Sequence, residues 1–214
     1  MSFDSSSIER SFRLSQEHVE DAVSPHDLAA VLSGNGARYV MIGGHVLGYF
    51  TGTPRATIDV DVIVSAAHVS RAVKAIQARF PELMVQDLTY NVRFNSSRSE
   101  GRIGTERIDV VRDSVPLFNR VLERYSVTVP ARGQAIRLPT VEAVVALKFA
   151  AVISPNRGAD SRPQDRTDLL NIVTQHRSMN TAVLGELGDL VYPGGGQELK
   201  DFCTAIWQGK RVSL

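Results

Sequence analysis

An α/β half followed by a helical half is the fold class this sequence predicts. Up to about residue 138, short β-branched runs alternate with segments of helical period, and from Pro139 the period stays helical. Hydrophobic residues make up 43% of the 214, enough for a sizeable core and too many for a disordered chain. The expected division is a polar N-terminal segment over 1–24, an α/β core over 25–138 and a helical region over 139–214 packed on it.

The elements follow in order. Residues 1–24 are polar and serine-rich, with one short helix expected around Ile8–Val23. Ser24-Pro25 reads as a helix start, a capping hydroxyl with proline at the first helical position, and Gly34-Asn35-Gly36 stops that helix. Tyr39–Ile42 is a short apolar strand, broken by Gly43-Gly44, and His45–Phe50 reads as a short helix. After the loop Thr51–Pro54, Ile58–Val64 is the second strand. Ala66–Phe80 is an amphipathic helix with Val69, Val73, Ile76 and Phe80 on one side. Residues 84–112 are β-rich, with a Ser/Arg/Gly loop at Asn95–Gly104. Leu117–Tyr125 is helical, Val127–Val129 and Ala135–Leu138 are short strands, and helices follow over about 140–153, 165–175, 180–191 and 197–207.

Bulk properties exclude several classes. A formal net charge of +1 argues against a dedicated nucleic-acid coat or a membrane-surface protein. One cysteine, Cys203, allows no internal disulfide and makes a zinc cluster a poor expectation. No uncharged apolar run reaches the roughly 18 residues of a membrane span. The start of the chain has no basic segment followed by an apolar one, so the expected location is the cytoplasm, without a membrane partner.

The chemistry concentrates in Asp59-Val60-Asp61. In a strand, residues two apart share a face, so two carboxylates stand side by side and repel by about 1–4 kcal/mol. A divalent cation between them is the natural reason, and Mg²⁺ takes carboxylate oxygens plus substrate phosphates. Asp109, inside the apolar run Ile108–Val111, supplies a third carboxylate. Three carboxylates on two strands suffice for phosphoryl transfer with two metal ions. Gly43-Gly44, after a strand and before a helix, lets backbone approach phosphate closely. It is not a P-loop, since no Gly-Lys-Ser/Thr follows, and it is a poor dinucleotide fingerprint.

Gly43-Gly44, fourteen residues, then Asp59-hydrophobic-Asp61 with Arg55 and Thr57 just ahead resembles the minimal nucleotidyltransferase superfamily, the polymerase-β-like fold. Within it the chain looks most like the bacterial AbiEii-like group of toxin-type nucleotidyltransferases. The likeness continues in Leu147-Lys148 and Asp165-Arg166-Thr167-Asp168-Leu169, and covers roughly Pro25–Val173. Gln164 stands where a lysine is common. The resemblance implies a mixed β-sheet flanked by helices, with the acids on its open face. It implies that Asp59, Asp61 and Asp109 are the catalytic, metal-binding set, that Asp109 serves as or orients the general base, and that Gly43 and Gly44 cradle the triphosphate of an NTP. The acceptor would be a hydroxyl of RNA, tRNA or protein, and an antitoxin protein is an implied partner. A non-catalytic member that kept the fold for nucleotide binding or protein interaction is the alternative.

Plainer readings stand beside these. Asp59 and Asp61 could be a solvated strand face, although the alternation fails at Ile63. Asp109 could be an ordinary edge-strand acid, as could Glu106 and Asp113. Arg55 and Thr57 either shape the loop or contact phosphate and aspartate. His45 is read as structural, with substrate contact the lesser alternative. Lys148, on a helix that is apolar nearly all round, either binds phosphate or pairs with Asp165 or Asp168. Asp165 is expected as a helix N-cap. For Arg93, Arg98, Arg102, Arg107, Arg157, Arg162 and Arg166 a solvated surface is the default and an RNA or nucleotide contact the alternative.

Overall fold

Ser24 begins a helix as its chemistry requires. In the computed structural model its hydroxyl accepts from the Asp27 amide at 3.4 Å and Pro25 opens α1, Pro25–Gly34. The structure describes residues 9–10, 12–13, 23–52, 57, 59–97, 103–155, 157–158 and 161–212. The helix expected around Ile8–Val23 lies largely outside them; Glu9, Arg10, Phe12 and Arg13 are helical.

Strand β1 is Tyr39–Ile42, helix α2 is Gly44–Thr51 and strand β2 is Val60–Val64. A tight 3-10 turn, Ala66–His68, precedes α3, Val69–Arg79. The turn stands where the single helix was expected to start, and the Ala66 amide donates to the Asp113 carboxylate at 2.7 Å. Helix α3 buries Val69, Ala72 and Ile76, while Val73 is only half-buried. Strands β3 (Leu83–Asp87), β4 (Asn91–Ser97) and β5 (Ile103–Arg112) complete a five-stranded sheet of order β1-β2-β5-β4-β3. Strands β4 and β5 run well into the expected Asn95–Gly104 loop. Every pair is antiparallel except β2 with β5, so the sheet is mixed and β5 is its central strand.

Val60, Val62 and Val64 on one face of β2 are fully buried, and so is Ile63 on the other. That is why the alternation fails at Ile63: both faces are covered there, and only Asp61 opens to solvent. Helix α4 (Pro116–Arg124) leads to a hairpin of β6 (Ser126–Ala131) and β7 (Gln134–Pro139). Arg132 and Gly133 at its turn have φ of 47° and 75°, the positive pair a type I′ turn needs.

One compact unit ends at Leu138, and from Pro139 the chain forms a second. It consists of α5 (Val141–Ile153), α6 (Arg162–Gln175), α7 (Thr181–Asp189) and α8 (Gly195–Trp207). The Thr140 hydroxyl caps α5 by accepting from the Ala143 amide, and Asn180 caps α7. Helix α5 buries Ala143–Ala146 and Phe149 in this unit's core. Among the described residues no helix is long and apolar enough to cross a membrane.

Candidate active site

Asp61 and Asp109 are register partners on the parallel strands β2 and β5. Neighbouring strands lie about 4.8 Å apart and partners share a face, so the two carboxylates stand side by side. The row continues across the whole sheet as Ile42, Asp61, Asp109, Arg93 and Gln86. Asp109 is therefore on the central strand, and the edge-strand reading of it is corrected. The strand-face reading of Asp59 is corrected too: β2 begins at Val60, and Asp59 stands one residue ahead of it. The Thr57 hydroxyl donates to Asp59 Oδ1, which aims that carboxylate from outside the strand.

The two glycines belong to the same packed unit as the acids. Gly43 has φ 80° and ψ −157° at the start of α2. A Cβ there would stand 2.9 Å from Asp61 Cγ and nearer still to Oδ2, so the Asp61 carboxylate occupies the space a side chain would need. A Cβ on Gly44 would meet Thr57 Cβ and Cγ2 at 3.1 Å. Glycine turn, threonine and both aspartates thus lock together.

His45 is buried, and its pKa is pushed down to about 4 by that burial, against the pull of the Asp59 charge. It is neutral at physiological pH and hydrogen-bonded to the Asp59 backbone, with Phe12 edge-on to its ring at 5.6 Å. Burial also raises the pKa of Asp109; the Asn91 hydrogen bond and the Arg93 charge pull it back, and Asp59 pushes it up. Asn91 Nδ2 donates to Asp109 Oδ1 at 2.6 Å. Sequence reasoning missed Asn91. Its only signal is parity with Arg93, and parity is mute without the β4–β5 register.

Arg55 lies outside the described residues, as do Arg98 and Arg102. Lys148, Asp165 and Asp168 lie in the helical unit and form one network. Lys148 Nζ donates to Asp165 Oδ1 at 2.8 Å and Asp168 Oδ2 at 2.9 Å. Arg157 Nε donates to Asp165 Oδ2 at 2.7 Å, and Gln164 Nε2 to Asp168 Oδ1 at 2.9 Å. Asp165 is therefore no N-cap: α6 starts at Arg162 after Ser161, and the carboxylate turns to the cations. Burial opposes its charge, but Arg157 and Lys148 outweigh that and hold its pKa below the ordinary aspartate range.

The solvated-surface reading needs correction at Arg107, whereas Arg157 and Arg162 are exposed as expected and Arg166 is half-buried. Arg107 is 8% exposed, with Nε and Nη1 unpaired among the described residues. Arg162 donates to the Ser154 and Pro155 carbonyls, and Arg166 to that of Val212. Arg93 is exposed.

The donor set of Asp59, Asp61 and Asp109 is all oxygen, the chemistry a hard cation requires. Among the described residues no three His, Cys, Asp or Glu side chains already converge as a cage. Mg²⁺ needs none, since it binds through one or two carboxylates and completes its shell with water and substrate phosphate.

A mixed sheet bearing paired acids beside a glycine turn defines a nucleotidyltransferase-type protein, and the comparisons agree. The model of a family described as "Nucleotidyl transferase AbiEii toxin, Type IV TA system" matches residues 26–198. The chain belongs to this AbiEii nucleotidyltransferase toxin family. No curated protein matches it. Among solved structures it is similar to an antigenic nucleotidyltransferase-like protein from Paracoccidioides brasiliensis, at 17% identity over 87% of this chain and 91% of that one, TM-score 0.51. It is also similar to ANT(2'')-Ia, solved in complex with adenylyl-2''-tobramycin, at 14% identity over 86% of this chain and 95% of that one, TM-score 0.51. At such identities the likeness is one of fold.

Proposed function

We propose that this protein transfers a nucleoside monophosphate from an NTP to an acceptor hydroxyl and acts as the toxin of a toxin–antitoxin pair. The observation that carries the chemistry is the Asp61–Asp109 register pair, with Gly43 shaped around the Asp61 carboxylate. Membership of the AbiEii family supports the toxin role.

Asp59, Asp61 and Asp109 are the residues that hold Mg²⁺, as one ion or two. The bound metal supplies charge neutralisation on the triphosphate and lowers the pKa of the acceptor hydroxyl. Gly43 and Gly44 bring the start of α2 against the phosphates, with Arg55 proposed as a further phosphate contact. Thr57 keeps Asp59 aimed, and Asn91 keeps Asp109 aimed. The acceptor oxygen attacks the α-phosphorus, the bond from that phosphorus to the bridging oxygen breaks, and pyrophosphate leaves. Asp109 takes the hydroxyl proton or orients the base that does. Asp165 and Asp168 support Lys148.

The test is label transfer from a panel of α-labelled NTPs, with Mg²⁺ and cell extract, alongside growth on induced expression. Wild type labels a macromolecule and slows growth; Asp61→Asn does neither. Growth arrest undiminished in Asp61→Asn, without label transfer by wild type, would overturn the reading. Relief of the arrest by the neighbouring gene identifies the antitoxin.

A further inference from the structure

We infer that the N-terminal segment completes the active site: Phe12 is a positioning residue that holds Asp59, through His45, where Asp59 binds its metal ion. The inference rests on the metal-dependent transfer reading above. Asp59 needs such support because the sheet does not hold it. The ladders of β2 begin at Asp61 with β1 and at Val60 with β5, so Asp59 lies outside both. Side chains hold it instead. The Thr57 hydroxyl donates to its carboxylate, and the His45 ring is hydrogen-bonded to its backbone. A metal-binding carboxylate is only as well placed as the groups behind it.

His45 in turn has to be held. It is the second residue of α2, a helix of eight residues with no side-chain cap at its start and a left-handed glycine, Gly52, at its end. So short a helix does not stand alone, and packing decides where its first turn points. Phe12 provides that packing. It is 1% exposed, and its ring lies perpendicular to that of His45 at 5.6 Å and at 75° to that of His26, on α1, at 4.9 Å. Helix α1 is a firm support, capped by Ser24 and opened by Pro25. Both ring nitrogens of His26 are buried with no hydrogen-bond partner among the described residues, so packing is what fixes that imidazole. One phenylalanine thus ties α2 to α1. The segment that carries it is itself anchored, since the Glu9 carboxylate accepts from the Arg132 amide at 3.3 Å in the β6–β7 turn. The plain alternative is that Phe12 only fills the core.

The probe is Mn²⁺ alone, titrated into the full chain and followed by loss of the free-ion electron spin resonance signal, with urea unfolding in parallel. Wild type is expected to bind, and Asp59→Asn to bind more weakly. His45→Phe keeps a ring against Phe12 but loses the bond to Asp59, and should weaken Mn²⁺ binding about tenfold. Phe12→Ala should weaken it about fivefold, and should add nothing further in the His45→Phe background. Phe12→Leu keeps apolar bulk, should fold even where the alanine variant does not, and should weaken binding about threefold. Leu117→Val, a small cavity on α4 of the same unit, should lower the urea midpoint and leave Mn²⁺ affinity unchanged. Wild-type Mn²⁺ affinity in Phe12→Leu would overturn the positioning role. So would additive losses in the double variant, or an equal loss in Leu117→Val. In each of those cases weaker binding by Asp59→Asn leaves the metal reading standing. A wild type that binds no Mn²⁺, or an Asp59→Asn that binds as wild type does, overturns the metal reading and this inference with it.

Discussion

Gly43 is the residue at which backbone shape and chemistry meet. Its φ of 80° is strained for any L side chain, and the space beside its Cα belongs to the Asp61 carboxylate. Gly43→Ala must either rotate the backbone or displace Asp61. The expected cost is about 1–3 kcal/mol of stability, as for an overpacked site, with transfer activity lost by more than a hundredfold under the same proposal. Urea unfolding and the label-transfer assay measure the two separately; an alanine variant with wild-type values in both would show that Asp61 needs no such neighbour. Thr57 tests the same unit from the other side. Thr57→Val keeps the shape that packs on Gly44 but removes the donor to Asp59, whereas Thr57→Ser keeps the donor. Activity should fall about tenfold in the valine variant and recover in the serine variant, with melting temperature little changed. Asp-x-Asp, Gly-Gly and the capping Ser24 were legible in the sequence because each acts over a few residues of chain. Asn91 was not, because its meaning depends on which residue of β5 it meets.

At the scale of elements, what could be read locally and what could not divide along the same line. The period of the helices after Pro139, and the apolar run of β2, are properties of single segments and were visible. The place of β5 at the centre of the sheet is a property of strand order, so Asp109 could pass for an edge acid until β2 and β4 were seen flanking it. Asp165 is similar: four residues into α6, it looks like a first-turn acid, and only the positions of Lys148 and Arg157 show what it binds. The α7–α8 pair shows a contact that sequence periodicity cannot announce. A Cβ on Gly188 would stand 2.7 Å from the Gly195 carbonyl oxygen and from Gly196 Cα, so the two backbones approach more closely than side chains permit. Gly188→Ala gains helix propensity, about 1 kcal/mol, but forces the helices apart. The net expectation is destabilisation by about 1–3 kcal/mol, seen as a lower urea midpoint. A stabilised variant would mean that the helices separate at no cost.

Across the whole molecule, the helical unit has a built-in reporter. Trp207 is the one tryptophan of the chain, lies on α8, and donates to the Val173 carbonyl of α6 at 3.0 Å. Its fluorescence follows this unit, while the proposed acids lie in the other. Asp165 is 2% exposed and paired with Lys148 and Arg157, and its pKa is lowered in the folded state. A lowered folded pKa means that the unfolded chain binds the proton more readily. The pairing then contributes its full stability above the unfolded aspartate pKa, about 3.9, and loses it as pH falls through the folded value. Asp165→Asn removes the charge at every pH. Near pH 7 it leaves Lys148 with Asp168 alone and Arg157 without its carboxylate, at a cost of about 2–3 kcal/mol. Urea unfolding followed by Trp207 should therefore separate wild type from variant at pH 7, and the gap should begin to narrow below about pH 4. A gap of constant size down to pH 3 would assign the loss to packing rather than charge. If the two midpoints coincide at pH 7, the Lys148–Asp165 pair adds nothing net to the helical unit.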